Sequence, residues 1–262
     1  MAARPLPADG SDPGTVESGA ASEMLTLFPR YVLRGKLSSR LLTELQALAA
    51  EVAAAPESSP DASGKLAGQL FQQRELHPAY PAARELGQEV ILPACERWIR
   101  HVIDQQPPRG RGPWTPGSYG LRLIDLWLNV QREGDYNPTH THGGSFSGVL
   151  FLQVPPQITG ERFDGQLCFH GPEEWQIQTF RTGMAHYVLP VPGEYYVFPA
   201  WQPHSVAPFR GEGERWSVAF NVVAVPQAAA AAGPQVQAAP GLAAPAANVS
   251  LSSARQRPGG FG

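Results

Sequence analysis

The part of the chain that most constrains its fold begins after residue 117. From there the sequence breaks into short runs of β-branched and aromatic residues separated by Gly, Pro, Asn and Asp, the pattern of an all-β sandwich or barrel. The candidate strands are 121–131, 145–154, 166–170, 186–190, 195–198 and 215–224. In the last of these, alternation puts Arg215, Ser217, Ala219 and Asn221 on one face and Trp216, Val218, Phe220 and Val222 on the other. A polar face on so apolar a strand predicts a barrel with a polar interior. An arginine buried there is costly unless a carboxylate meets it, and its planar fork suits a bidentate carboxylate partner.

Upstream the pattern is helical. Ser38 or Ser39 can cap a helix in which Leu41, Leu42, Leu45 and Leu48 recur at helical spacing. A second helix is predicted over 78–104, with Ala82, Leu86, Val90, Trp98 and Val102 as its apolar set and Pro93 as a kink or break. Residues 25–37 read as an extended lead, and PESSPDASGK as a loop. The segments rich in Ala, Gly, Pro and Ser at either end have no apolar periodicity. The predicted organisation is therefore a disordered tail (1–23), a helical lead-in (24–118), a β core (119–226) and a second disordered tail (227–262). The fold class is mainly β, α+β overall, and a double-stranded β-helix of the jelly-roll or cupin type accounts for the strand count.

Composition narrows the partners. A formal net charge of -3 over 262 residues provides no positive field for nucleic acid or an anionic membrane surface. No apolar run is long enough to cross a bilayer, and the N-terminal residues lack the apolar stretch of a signal peptide, so a cytoplasmic protein is expected. Cys95 and Cys168 fall in segments of different character and read as free thiols rather than a disulfide or zinc site. The sequon Asn248-Val249-Ser250 is read as coincidental. A small-molecule or peptide substrate remains, with oligomeric state open.

The residues that point to chemistry are histidines. In Thr139-His140-Thr141-His142 the two imidazoles are two residues apart, so an extended backbone sends both to one face, where they can share a metal. Neutral imidazole suits iron, zinc, copper and nickel alike. A third histidine, His204, follows the aromatic-Pro turn Phe198-Pro199-Ala200-Trp201-Gln202-Pro203. His170 and His186, on candidate strands, read as ordinary structural histidines.

His204 followed by Arg215 and Ser217 resembles the distal His…Arg-x-Ser signature of the 2-oxoglutarate/Fe(II) oxygenases. Trp127-Leu128-Asn129, Gly134, His140-Thr141-His142, Ser147-Gly148-Val149, Phe198-Pro199 and Asn221 resemble a bacterial and phage subgroup of that superfamily, and Leu27-Phe28-Pro29 resembles the start of its N-terminal region. The resemblance covers residues 121–223 well and 25–120 loosely. It implies iron(II) held by His140, His142 and His204, with 2-oxoglutarate as co-substrate. Arg215 and Ser217 would bind the far carboxylate, with Asn129 and Asn221 also in the co-substrate pocket and Tyr136 lining it. The implied reaction is hydroxylation of a substrate coupled to release of succinate and carbon dioxide.

One position departs from the superfamily pattern, whose proximal motif is His-x-Asp. Here the third position is His142. Either His142 coordinates in a three-histidine site or a carboxylate such as Asp135 or Asp164 completes the set, and same-face spacing to His140 favours His142. Three neutral donors would leave the metal more positive and favour a dianionic co-substrate. The competing functions are a three-histidine cupin dioxygenase that does not use 2-oxoglutarate and a non-catalytic metal-binding β-barrel. Arg215-Trp216-Ser217 argues against the first.

Overall fold

A computed structural model describes residues 29–105, 118–171 and 185–226. The predicted disordered tails 1–23 and 227–262, and Leu27-Phe28, lie outside the described residues. Among the described residues the strands are β1 (Leu33–Lys36), β2 (Gln72–Glu75), β3 (Tyr119–Gln131), β4 (Asn137–His140) and β5 (Phe146–Gln153), then β6 (Leu167–His170), β7 (Ala185–Val188), β8 (Glu194–Pro199), β9 (His204–Val206) and β10 (Arg215–Pro226). They form two antiparallel sheets. The larger has the order β1-β8-β5-β10-β3-β2 and the smaller β4-β9-β6-β7. Chain-distant strands lie side by side in both, as a double-stranded β-helix requires.

The lead-in is more than helical, because it supplies both edges of the larger sheet. β1 pairs with β8 and β2 with β3. β1 falls within the extended lead, but β2, with the sequence QQRE, has no apolar alternation to declare it. Helix α1 (Ser39–Ala54) starts where its cap predicts: the Ser38 hydroxyl accepts from Leu41 N at 3.3 Å. Leu41, Leu45, Leu48 and Val52 form its buried stripe.

The second helical stretch runs as α2 (Pro81–Glu85), a π-helical turn Leu86–Ile91 and α3 (Leu92–Gln105). The predicted break at Pro93 is instead a widened turn just before it. Leu92 N reaches back to Gly87 O, which accommodates a residue that has no N–H and whose ring crowds the preceding turn.

Alternation along the strands divides the apolar residues into two cores. Leu128, Val130, Leu150, Leu152, Val197, Val218, Phe220 and Val222 face outward and pack with Leu45, Leu86 and Ile91 from the helices. Val149, Phe151, Phe198 and Tyr196 face inward and meet Leu167, Phe169 and Val188 of the smaller sheet. Gly148 lies beneath the Phe220 ring and against Tyr196 O, so even a methyl group there would overlap both. The helices thus hold the larger sheet rigid from outside while its other face lines the barrel.

Candidate active site

His140 is the last residue of β4 and stands directly across from His204, the first residue of β9. Cross-strand partners project on the same side of a sheet. β4 ends at His140, so His142 is not placed by strand alternation as expected. Its position is set instead by its backbone N–H, which donates to Ala200 O at 2.9 Å. Gly144, at φ 95°, then reverses the chain into β5, a conformation that L side chains avoid.

The outcome is a compact cluster. Ring centroids are 4.8 Å apart for His140 and His142, 4.3 Å for His140 and His204, and 5.1 Å for His142 and His204. The potential ligand atoms of all three lie within 4.8 Å of one another.

Hydrogen bonds fix two tautomers. A carbonyl can only accept, so His140 Nδ1 donates to Pro138 O at 2.7 Å and His204 Nδ1 donates to Gln202 O at 3.0 Å. Each Nε2 then carries the lone pair a metal needs, that of His140 accepting from Asn137 Nδ2 at 3.3 Å, in the tautomer second-sphere carbonyls commonly impose. His142 Nε2 and His204 Nε2 are 3.3 Å apart. Nitrogens bound to one ion at about 2.1 Å are separated by roughly 3.0 to 3.4 Å for octahedral to tetrahedral angles. Burial favours the neutral rings: it lowers His140, takes His142 down to about 4 and His204 to about 3, with neighbouring histidines adding to the effect in the last two.

The second half of the site is the polar row predicted on β10. Arg215, Ser217, Ala219 and Asn221 stand opposite Gln131, Asn129, Trp127 and Asp125 of β3, so the residues of both strands share the interior face. They line a cavity of about 540 Å³ together with the three histidines. Arg215 is 1% exposed and lies over the Phe151 ring, 5.0 Å from its centroid. Its Nη1 donates to Gln131 Oε1. Arginine only donates, so this bond fixes the Gln131 amide and turns its Nε2 away. Arg215 Nε and Nη2 and Gln131 Nε2 are then buried donors without partners. Burial without a counter-charge brings the guanidinium down to about 10, so it still carries its charge at neutral pH.

The structure separates the other expected residues. Ser217 and Asn129 are paired across β10 and β3 in the cavity wall, and the Asn129 amide meets Gln73 of β2 at 2.8 Å. Asn221 also lines the cavity, but it is six residues from Arg215 on β10, about 20 Å at the usual strand rise. Tyr136 is exposed and outside the cavity lining.

The carboxylate alternatives for the metal are engaged elsewhere. Asp135 accepts from Phe71 N at 2.7 Å and Arg132 N at 2.9 Å, and Asp164 faces Arg162. His170 bonds the Ser205 hydroxyl at 2.8 Å, and His186 is exposed on β7. Sequence reasoning missed Gln131 and Asp125. Their alternation with Asn129 and Trp127 was visible, but their facing Arg215 and Asn221 depends on a β3–β10 register that no local pattern gives.

Residues 125–221 match the family model described as "Putative 2OG-Fe(II) oxygenase". The β core, rather than the whole chain, is thus similar to the 2-oxoglutarate/Fe(II) oxygenases. The family's metal is iron(II) and its co-substrate 2-oxoglutarate, and the histidine cluster and the orphaned donors around Arg215 fit both. Among solved structures, the chain is similar to the non-heme α-ketoglutarate-dependent epimerase SnoN from nogalamycin biosynthesis, with 17% identity over 75% of this chain and 77% of that one and a TM-score of 0.50. It is also similar to a Pseudomonas putida prolyl-4-hydroxylase (19% identity, 73% and 92% of the two chains, TM-score 0.48). A third is HygX from Streptomyces hygroscopicus (13% identity, 73% and 81%, TM-score 0.46). No curated protein matches the sequence. No helix among the described residues is long and apolar enough to cross a membrane.

Proposed function

We propose that this oxygenase hydroxylates a C–H bond of a small-molecule or peptide substrate while converting 2-oxoglutarate to succinate and carbon dioxide. His140, His142 and His204 would hold the iron through Nε2. The observation that carries the reading is the pair of buried donors without partners, Arg215 Nε and Nη2, on a guanidinium that has no carboxylate partner among the described residues, with a third, Gln131 Nε2, beside it. Leaving them unpaired costs stability, and a carboxylate entering the cavity would pair with the Nε and Nη2 edge of Arg215. Ser217 adds a hydroxyl beside them, and Asn129 stands across from it.

The bound iron and co-substrate would supply the oxidative chemistry. The protein's own residues position and enclose. Pro138 O and Gln202 O hold two imidazoles in the ligating tautomer. Phe198, packed edge-on against His204 at 4.7 Å, excludes water from the inner side of the cluster. Arg215 and Gln131 fix the far end of the co-substrate and thereby the orientation of its keto-acid end.

The test is anaerobic addition of iron(II) and 2-oxoglutarate to metal-free protein, followed through the weak visible charge-transfer band of a keto acid chelated to iron. The band forms in the parent protein and is lost in Arg215→Ala. The all-histidine donor set favours one other reading, a cupin dioxygenase that binds substrate directly to iron. Iron binding with no band would select it. Absence of iron binding would select a non-catalytic barrel.

A further inference from the structure

The cavity has two chemically opposite ends. The histidines lie over its middle rows: His142 is tilted toward Trp127 at 6.2 Å, and His204 packs on Phe198. Trp127 is level with Ala219, and Phe198 is level with Ser147 and so with Asn221. The guanidinium of Arg215 leans on Phe151, level with Ser217. Asp125 and Asn221 stand level with the His204–Phe198 row, beside the histidines and at the end of the cavity away from Arg215.

Asn221 Nδ2 donates to Asp125 Oδ2 at 2.9 Å. Reversing the amide would set its oxygen against a carboxylate oxygen, so the orientation is determined, and Asn221 Oδ1 is left as an acceptor. That oxygen is buried, has no partner, and belongs to a side chain only 7% exposed in the cavity wall. Asp125 has no cationic side chain paired with it among the described residues. The lining also includes the carboxylates of Asp61 and Glu75, and Arg215 is the only arginine or lysine among the described lining residues.

We propose that this end of the cavity is the substrate subsite and that it takes a cation, a protonated amine or guanidinium group, between the Asp125 carboxylate and Asn221 Oδ1. The orphaned Asn221 Oδ1 and the Asp125 carboxylate are both acceptors, so an N–H donor suits them, and the charge of Asp125 selects a positive donor over a neutral one. A substrate anchored there lies beside the histidine cluster without competing for Arg215. The proposal takes its substrate role from the oxygenase reading, but the binding it asserts does not need 2-oxoglutarate.

The test uses the full chain loaded with zinc as a diamagnetic metal, with n-pentylammonium and 1-pentanol as matched probes, followed by ligand-observed saturation-transfer NMR. n-Pentylammonium binds with a dissociation constant on the order of millimolar, as its few heavy atoms allow. 1-Pentanol binds at least about ten-fold more weakly, because it lacks the charge-assisted bond. Asp125→Asn weakens the ammonium by about ten-fold or more, and Asn221→Ala by about three-fold or more, with circular dichroism and zinc content unchanged. Equal binding of the two probes, undiminished ammonium binding in Asp125→Asn, or no binding of n-pentylammonium would each overturn the proposal. So would an Asp125→Asn protein that loses zinc yet retains its response to the cation, since Asp125 would then act on the histidines alone. Failure of the charge-transfer band in the parent protein would reject the 2-oxoglutarate reading and leave this result standing.

Discussion

Replacing Gln131 by Glu isolates the electrostatics of the Arg215 end. The change is almost isosteric and keeps an oxygen facing Arg215 Nη1. It has two consequences for an incoming carboxylate. The orphaned Nε2 donor disappears, and a negative charge takes the place of a neutral amide beside the guanidinium. At about 5 Å and an effective dielectric near 20, two like charges repel by roughly 3 kcal/mol. That corresponds to a loss of about two orders of magnitude in 2-oxoglutarate affinity.

The metal-loaded protein without co-substrate should change in the opposite sense. Arg215 is 1% exposed and lacks a counter-charge, so an internal carboxylate relieves a buried unpaired cation and raises the melting temperature. Gln131→Ala separates the two effects, because it removes one donor without adding charge and should weaken 2-oxoglutarate by only about three- to ten-fold. The assay is anaerobic titration of the iron(II) protein followed at the charge-transfer band, with thermal melts of the same samples. A Gln131→Glu protein that binds 2-oxoglutarate within three-fold of the parent, or that melts lower, would refute the reasoning.

Other consequences are as direct. His204→Ala removes the most buried ligand of the cluster and should abolish iron binding and 2-oxoglutarate turnover; metal content after dialysis and succinate release measure both. His142→Asp, which restores the more usual His-x-Asp pattern, should keep the metal yet weaken 2-oxoglutarate, since an anionic donor replaces a neutral one beside a dianion; equilibrium titration decides. The buried histidines make metal-free protein acid-sensitive. Folded values of about 4 for His142 and about 3 for His204 lie below the ordinary ~6.5, so the unfolded chain takes up protons first. Stability is full above about pH 6.5 and falls as pH drops toward 4 and 3, a loss seen as declining melting temperature and reduced in His204→Gln. Gly148→Ala forces a methyl group into the Phe220 ring and Tyr196 O and should cost about 1–3 kcal/mol, read from denaturant midpoints at unchanged m-value.

The elements that were legible in the sequence are those whose own residues carry an apolar or capping signal. Each of the six predicted β runs contains a strand, with the longest, β3, β5 and β10, displaced by only one or two residues at their ends. α1 starts at its serine cap for the same reason: the signal is local and belongs to a few adjacent residues. β1 lies within the predicted extended lead 25–37, whereas β2, β4 and β9 escaped because QQRE, NPTH and HSV lack the apolar and aromatic residues that mark the equally short β6 and β7. They form because a partner strand is already there, β8 for β1 and β3 for β2. Pro93 shows the converse, a strong local signal for a break that the helix absorbs in one π turn.

The site divides along the same line. Arg215, Ser217 and the histidines were nameable because each lies in a short motif or on a visibly alternating strand. Yet what the site can do depends on what faces them, and facing is a property of register. The β3–β10 pairing sets Gln131 against Arg215 and Asp125 against Asn221, six residues apart on β10. A two-residue shift would keep every inward residue inward but exchange those partners, giving Arg215 a different neighbour and leaving Asp125 without its asparagine. One strand pair therefore determines both ends of the cavity, the one deprived of an acceptor and the one deprived of a donor. The three histidines are positioned by other contacts, the β4–β9 pairing and the Ala200 carbonyl. Substitutions at either end should consequently alter what binds there without disturbing the metal cluster.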